Sequence, residues 1–232
     1  MDGPARLDEP AAGHSPQPLF AVHCARPLLV ARFPAPVAVL SWAVARPGRQ
    51  VARKVVWLEV KDADLPPEVD PAALLDAKLG DAGLSDAVAM MTARDVRRHH
   101  SGVARSGGVA AQCLATAGLS NAGRIGVASG PGRRTGTINL LAAVSVALTD
   151  AALLEAVSIG TQARTAAVMD CAYAIEGGLA TGTGTDCIAL ACPAEGEPAP
   201  FAGLHTPVGE ALGAAVYDAV KSGVREWIDG RA

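Results

Sequence analysis

The stretch LATGTGTDCIALACP, residues 179–193, reads in two halves that meet at Asp186. The second half, DCIALACP, is a short continuous apolar run of strand length. Such a run marks a strand buried within a sheet rather than lying half exposed at its surface. The first half sets two glycines and three threonines directly ahead of that strand. Glycines let the backbone approach a ligand closely and take positive φ. Threonine hydroxyls and free amides supply neutral hydrogen bonds, and Asp186 supplies one charge or a general base. A loop with a rigid strand behind it is where binding groups are usually mounted. The same residues also suit a tight β-turn in which Asp186 caps backbone amides, and both readings stand. No lysine follows, so this is not a phosphate loop of the GxxxxGK[ST] kind.

Working outward, Leu19 to Val60 is punctuated by proline and glycine into LLVARF, VAVLSWAV and KVVWLEV, three consecutive strands. RPGRQ (46–50) is the hairpin turn among them. DPAALLDAKLG (70–80) is a short helix, capped by Asp70, with Pro71 in its first turn and Gly80 closing it. DAVAMMTA (86–93) is a further strand, and GVAAQCLATAGL and GTINLLAAVSVAL alternate as strands do. DAALLEAVSIGTQARTAAVMDCAYAI (150–175) has helical spacing. One long helix and a helix–strand–helix interrupted near Ser158–Thr161 are both compatible with it. The last element is the clearest. Val208, Leu212, Val216, Val220 and Val224 recur at four-residue steps, behind Thr206 as cap and Pro207 in the first turn. Gly209 and Gly213 lie on one flank of that helix and permit another element to come close. The expected fold is a single α/β (α+β) domain over residues 19–232, a mixed β-sheet covered by helices with an amphipathic C-terminal helix. Residues 1–18, with four prolines, read as a loose tail.

Half of the 232 residues are apolar, enough for a substantial core, and the net charge is −3. That charge gives no reason to expect nucleic acid or a membrane surface as partner. No apolar run approaches the roughly 20 residues of a membrane span. The acidic, proline-rich start lacks the features of a signal peptide, so a cytoplasmic location is expected. The five cysteines are odd in number and show no CxxC spacing, and all read as small buried apolar residues. Homo-oligomerisation stays open.

Three further features carry chemistry. TAGLSNAGRIG (116–126) sets Ser120 and Asn121 between glycines, and Asn139 stands inside the apolar run GTINL. A buried asparagine needs partners, since an unsatisfied amide costs roughly 1–3 kcal/mol. It serves either to brace a loop or as a fixed donor to an oxyanion. His99 and His100 follow RDVRR and read as a solvated helix end. His205 precedes the C-terminal helix with Glu210 about one turn on. A His205–Asp186–Glu210 trio would suit a metal or acid–base chemistry, but neither HxH nor HExxH spacing appears, and a helix start with a dipole-favoured acid needs no function. Between Asp95 and Asp150 there is no acidic residue, while Arg97, Arg98, Arg105, Arg124, Arg133 and Arg134 all fall there. They either line a site for an anionic or carbonyl-rich ligand or lie scattered on the surface, as in the exposed turn PGRRTG.

Five of these stretches, in this order, resemble the adenosylcobinamide amidohydrolases of corrinoid salvage. They are SGVARSGG (101–108), TAGLSNAGRIG, GTINLL (136–141), ATGTGTD (180–186) and FAGLHTPVGEALGAAV (201–216). The resemblance implies hydrolysis of the amide joining aminopropanol to the corrin ring, giving adenosylcobyric acid. The substrate is then a small-molecule corrinoid that brings its own cobalt, and no separate metal or cofactor is implied. On that footing Asp186 is base or orienter, His205 proton donor, and Asn121 and Asn139 oxyanion donors. Thr183 or Thr185 is the candidate nucleophile and Glu210 an alternative base. Gly182, Gly184, Ser120 and Arg105 are expected to contact the corrinoid. One step departs from the family: Gln162-Ala163-Arg164 stands where relatives carry Glu-Ala-Lys. If that acid and base are catalytic, activity suffers; if they are structural, little changes. A non-catalytic corrinoid-binding protein and a phosphate-ester or nucleotide hydrolase are the alternatives.

Overall fold

Cys187–Pro193 forms a strand at the heart of the sheet, buried except at its last residue, as its unbroken apolar run requires. The computed structural model describes residues 18–128 and 135–231. In chain order they form β1 (Ala21–Ala25), β2 (Leu28–Ser41), β3 (Gly48–Glu59), α1 (Pro71–Asp81), β4 (Val88–Thr92), β5 (His99–Ser106), β6 (Val109–Ala117) and β7 (Ala122–Gly123). There follow β8 (Ile138–Val144), α2 (Asp150–Asp170), β9 (Ala174–Ile175), β10 (Gly178–Leu179), β11 (Gly182–Thr183), β12 (Cys187–Pro193) and α3 (Pro207–Asp229). The main sheet runs β4-β3-β2-β12-β8-β6-β5, with β1 paired to the first half of β2. It is mixed: β3/β4 and β8/β12 are parallel and the other pairs antiparallel. The parallel pair β8/β12 is joined through α2, the long crossover that parallel strands need.

One face of this sheet is covered by helices. α3 lies over β5, β6 and β8, and α2 lies over β12. Small residues let them settle closely: a Cβ on Gly102 would stand 2.1 Å from the Ala215 carbonyl oxygen. The other face is covered by the sheet itself. Trp57 of β3 donates its indole N–H to the Asn139 carbonyl of β8 at 3.4 Å, although three strand spacings of ~4.8 Å separate these strands in a flat sheet. The β1–β4 part therefore folds over the β12-β8-β6 part. Phe33, Val39 and Trp57 pack there against Leu114, Leu141 and Ala189. α1 closes the outside of the folded part, Leu75 and Leu79 meeting Val30, Val56 and Leu58.

Asn139 holds the two parts together. It is fully buried; its amide N–H donates to the Met91 carbonyl at 2.6 Å and its amide oxygen accepts from Thr137 Oγ1 at 3.0 Å.

Several expectations are met in modified form. LLVARF and VAVLSWAV are one bent strand, because the register shift between Arg32 and Val37 leaves Pro34 and Pro36 exposed and out of the ladder. Gly48–Gln50 of RPGRQ already belongs to β3, so the turn lies earlier. α1 has the Asp70 cap, which accepts from Ala72 N at 3.0 Å, but runs through Gly80 to Asp81. Gly83, at φ +66°, is the residue that supplies the left-handed turn after it. α2 is one unbroken helix; Thr161 is accommodated by donating its hydroxyl to the Val157 carbonyl one turn back. His99 and His100 are not a helix end. They open strand β5, and His100 Nε2 meets Glu226 of α3 at 2.5 Å, beneath Gly223. α3 matches its expectation: Thr206 accepts from Gly209 N at 3.0 Å and all five four-step residues are buried. Cys113, Cys187 and Cys192 are buried, whereas Cys24 and Cys171 are only partly so. Among the described residues no helix is long and apolar enough to cross a membrane. Residues 1–17 and the PGRRTG arginines lie outside the described residues.

Replacing Asn139 by Ala removes the side-chain donor to the Met91 carbonyl that ties the two parts of the sheet. Denaturant unfolding of Asn139→Ala is expected to show a loss of about 2–4 kcal/mol.

Candidate functional site

Row by row, the register aligns Cys187, Asn139, Thr116 and His99 at one end of the sheet. The glycine–threonine loop enters β12 at this end. It is fixed to the TAGLSNAGRIG loop by a short ladder in which Gly182 pairs with Gly123 and Thr183 with Ala122. Thr181 N also donates to the Gly123 carbonyl, and Gly184 N to the Asn121 carbonyl. Gly136 lies beneath the second loop: a Cβ there would meet Asn121 N at 2.6 Å and Ser120 N at 2.8 Å. Two loops remote in sequence thus become one surface.

Asp186 is the anchor of that surface. Its Oδ1 accepts from Ile138 N at 3.0 Å and from the Thr183 hydroxyl; its Oδ2 accepts from Thr183 N at 3.0 Å and from Arg164 Nη1 at 2.6 Å. Both side chains of the ion pair are largely buried, Asp186 at 7% exposure and Arg164 at 14%. Arg164 also donates to the Thr181 carbonyl at 3.1 Å, so one guanidinium from α2 clamps both ends of the loop. The guanidinium passes so close that a Cβ on Gly182 would stand 1.9 Å from Nη1. Thr185 donates its hydroxyl to the Gly136 carbonyl at 3.1 Å, and Thr137 Oγ1 reaches the Thr185 carbonyl at 2.8 Å. Neighbouring Cys187 is buried, and burial pushes its thiol up to about 11.

Two clefts flank the loop and meet at Gly184. One, of about 280 Å³, is lined by Arg124, Thr161, Arg164, Thr165 and Thr183 among others. The second, of about 240 Å³, is bounded by Trp42, Val44, Met91, Asn139 and Thr185. Three polar side chains here keep a buried atom without a partner among the described residues: Thr116 Oγ1, Asn121 Oδ1 and Arg164 Nε.

Of the residues expected from the sequence, this end brings together Asp186, Thr183, Thr185, Asn121, Ser120, Asn139, Gly182 and Gly184. It does not include His205, Glu210 or Arg105. Arg105 is six residues along β5 from His99, ~20 Å toward the other end of the sheet. Its neighbour Ser106 donates to Glu210, and Pro207 packs on Gly107, so the start of α3 and His205 lie there too. The His205–Asp186–Glu210 trio is therefore not formed. Among the described residues no three His, Cys, Asp or Glu side chains are grouped to hold a metal ion. Asn139 is fully buried, donates one amide N–H to the Met91 carbonyl and so braces the sheet beneath the smaller cleft. Of the arginines, Arg124 lines a cleft, Arg97 pairs with Asp95 and Arg98 with Glu226. Gln162 and Arg164 do not form a pair: Gln162 bonds Ser158 on the same helix, and Arg164 turns to Asp186. The residues missed from the sequence are Arg164 as partner of Asp186, and Trp42, whose indole N–H donates to the Asp186 carbonyl at 2.8 Å. Arg164 had a signal, as the one basic residue between Asp150 and Asp170.

The fold and site define a mixed α/β domain that carries a glycine–threonine loop locked onto a buried ion pair. The sequence profile of the adenosylcobinamide amidohydrolase family (CbiZ) matches residues 15–232, and the chain belongs to that family. The adenosylcobinamide amidohydrolase of Halobacterium salinarum is 37% identical over 153 residues, which cover 63% of this chain. The match spans 62% of the length of that curated relative. Among solved structures, the crystal structure of the PH0078 protein from Pyrococcus horikoshii OT3 aligns over 86% of this chain and 77% of that one, with 11% identity and a TM-score of 0.44.

Removing one partner of a buried ion pair costs about 3–5 kcal/mol, whereas lysine can still reach the carboxylate as a point charge. Unfolding in urea is expected to show a loss near that size for Arg164→Met and about 1 kcal/mol for Arg164→Lys. Equal losses in the two variants would contradict the ion-pair account.

Proposed function

We propose that this chain hydrolyses the amide that joins aminopropanol to a propionate side chain of the corrin ring in adenosylcobinamide, releasing adenosylcobyric acid. Membership of the family supports the substrate. The observation that carries the chemistry is the chain Thr183–Asp186–Arg164. A carboxylate offers about four acceptor positions, and those of Asp186 meet four donors, so no position is left for a water. The one hydroxyl proton it faces belongs to Thr183, which lines the larger cleft.

Thr183 Oγ1 is then the attacking group. Its oxygen bonds to the amide carbonyl carbon while its proton passes to Asp186, held in place by Arg164. Collapse of the adduct breaks the C–N bond, and the proton moves from Asp186 to the departing aminopropanol nitrogen. Water next attacks the threonyl ester, which frees the ring carboxylic acid and restores Thr183. The Asn121 amide nitrogen stands 3.1 Å from where a Gly184 Cβ would be, beside the bond under attack, and is the donor for the oxyanion. His205 and Glu210 take no part from the far end of the sheet. The cobalt is part of the substrate, and the scheme uses no other metal. The acid released is a precursor that re-enters coenzyme B12 assembly, which makes the reaction one of corrinoid salvage.

Incubation with adenosylcobinamide, followed by mass, is expected to yield aminopropanol and adenosylcobyric acid in equal amounts. Thr183→Ala is expected to lower kcat by roughly a thousandfold or more while it still binds cobinamide. Binding without release by the wild type would point to a carrier, and turnover of phosphate esters to a different hydrolase. Full activity in Thr183→Ala would sink the nucleophile assignment.

A further inference from the structure

We infer that Trp42 is the platform on which the flat face of the ligand's macrocycle stacks, setting ring affinity without entering the bond-making step; this rests on the corrinoid reading above. Trp42 follows the last residue of β2 and is 49% exposed, while Trp57 and Trp227 are buried. Its exposure is not that of a loose side chain. The indole N–H is bonded to the Asp186 carbonyl at 2.8 Å, which pins one edge of the ring to the glycine–threonine loop. A pinned aromatic ring with an open face binds a flat apolar partner at low entropic cost, since little rotamer freedom remains to be lost. Val44, also nearly half exposed, and Met91 extend the same apolar floor within the smaller cleft.

The opposite cleft differs in kind. Arg124, Thr161, Arg164 and Thr165 line it, and Gly184 is the divide between the two. Gly184 is exposed and carries no side chain to block passage from one cleft to the other. The surface therefore suits an amphiphilic ligand, with a flat conjugated body and a hydroxyl-bearing polar arm. The body lies on Trp42 and Val44; the arm crosses Gly184 and brings its amide to Thr183. The ring contact is equally strong in the bound substrate and in the transition state, so it acts on KM and leaves kcat alone.

Two variants separate this role from that of a mere brace for Asp186. Trp42→Phe keeps an aromatic face and loses the N–H donor; Trp42→Gln loses the face and keeps a donor. Steady-state hydrolysis of adenosylcobinamide would be measured alongside the dissociation constant of cobinamide, with thermal unfolding as a check of folding. Trp42→Gln is expected to raise KM and Kd about tenfold with kcat within about twofold, and Trp42→Phe to stay within about threefold on all three. An unchanged Kd in Trp42→Gln overturns the inference. So does a fall in kcat in Trp42→Phe that Trp42→Gln escapes, which would make the indole N–H a brace for the loop. A wild-type protein that binds no cobinamide overturns the corrinoid reading itself, and this inference with it.

Discussion

The carboxylate of Asp186 joins three parts of the chain that lie far apart in sequence. It accepts from Arg164 on α2, from the first residue of β8, and twice from Thr183 in its own loop. A buried charge pair is costly to desolvate and is tolerated only when its remaining hydrogen-bonding capacity is met. Here nearly all of it is met, and the loop has few other conformations open to it. Gly182 belongs to the same constraint, because the guanidinium occupies the space a side chain would need. The loop is thereby held from several sides at once, by its own residues, by β8 and by α2.

The sheet supplies the frame for this lock. β8 and β12 run parallel with α2 between them, so the start of each strand and the second half of the crossover helix meet at one end. The folded-over β1–β4 part brings Trp42 and Met91 to the same end from the other side. Asn139 fixes that approach from within the core, where each of its polar atoms has a partner. This asparagine, set in an otherwise apolar strand, ties the two parts of the sheet to each other.

What could be read from the sequence was local. The buried run at 187–193, the capped helices at 71–81 and 207–229, and the bare glycine–threonine loop each declare themselves within a dozen residues. The fold-over of the sheet does not, because it depends on pairings between distant strands and on a bulge that hides two prolines from the ladder. His99 and His100 read as a helix end because an edge strand with exposed polar residues has little alternation to show. The family motifs pick out loops but do not say which end of the sheet each one reaches. Arg105, His205 and Glu210 gather at the opposite end for that reason alone. Arg164 looked like a departure of unknown consequence, and proves to be the cation that the Asp186 carboxylate holds.

The most direct test of this account is a double-mutant cycle between Arg164 and Asp186, using Arg164→Met, Asp186→Asn and the double variant in denaturant unfolding. If the pair is the lock of the site, the two losses should be strongly non-additive, with a coupling of about 2 kcal/mol or more. Additive losses, with coupling near zero, would mean that the loop is held by its other hydrogen bonds and that the ion pair is incidental.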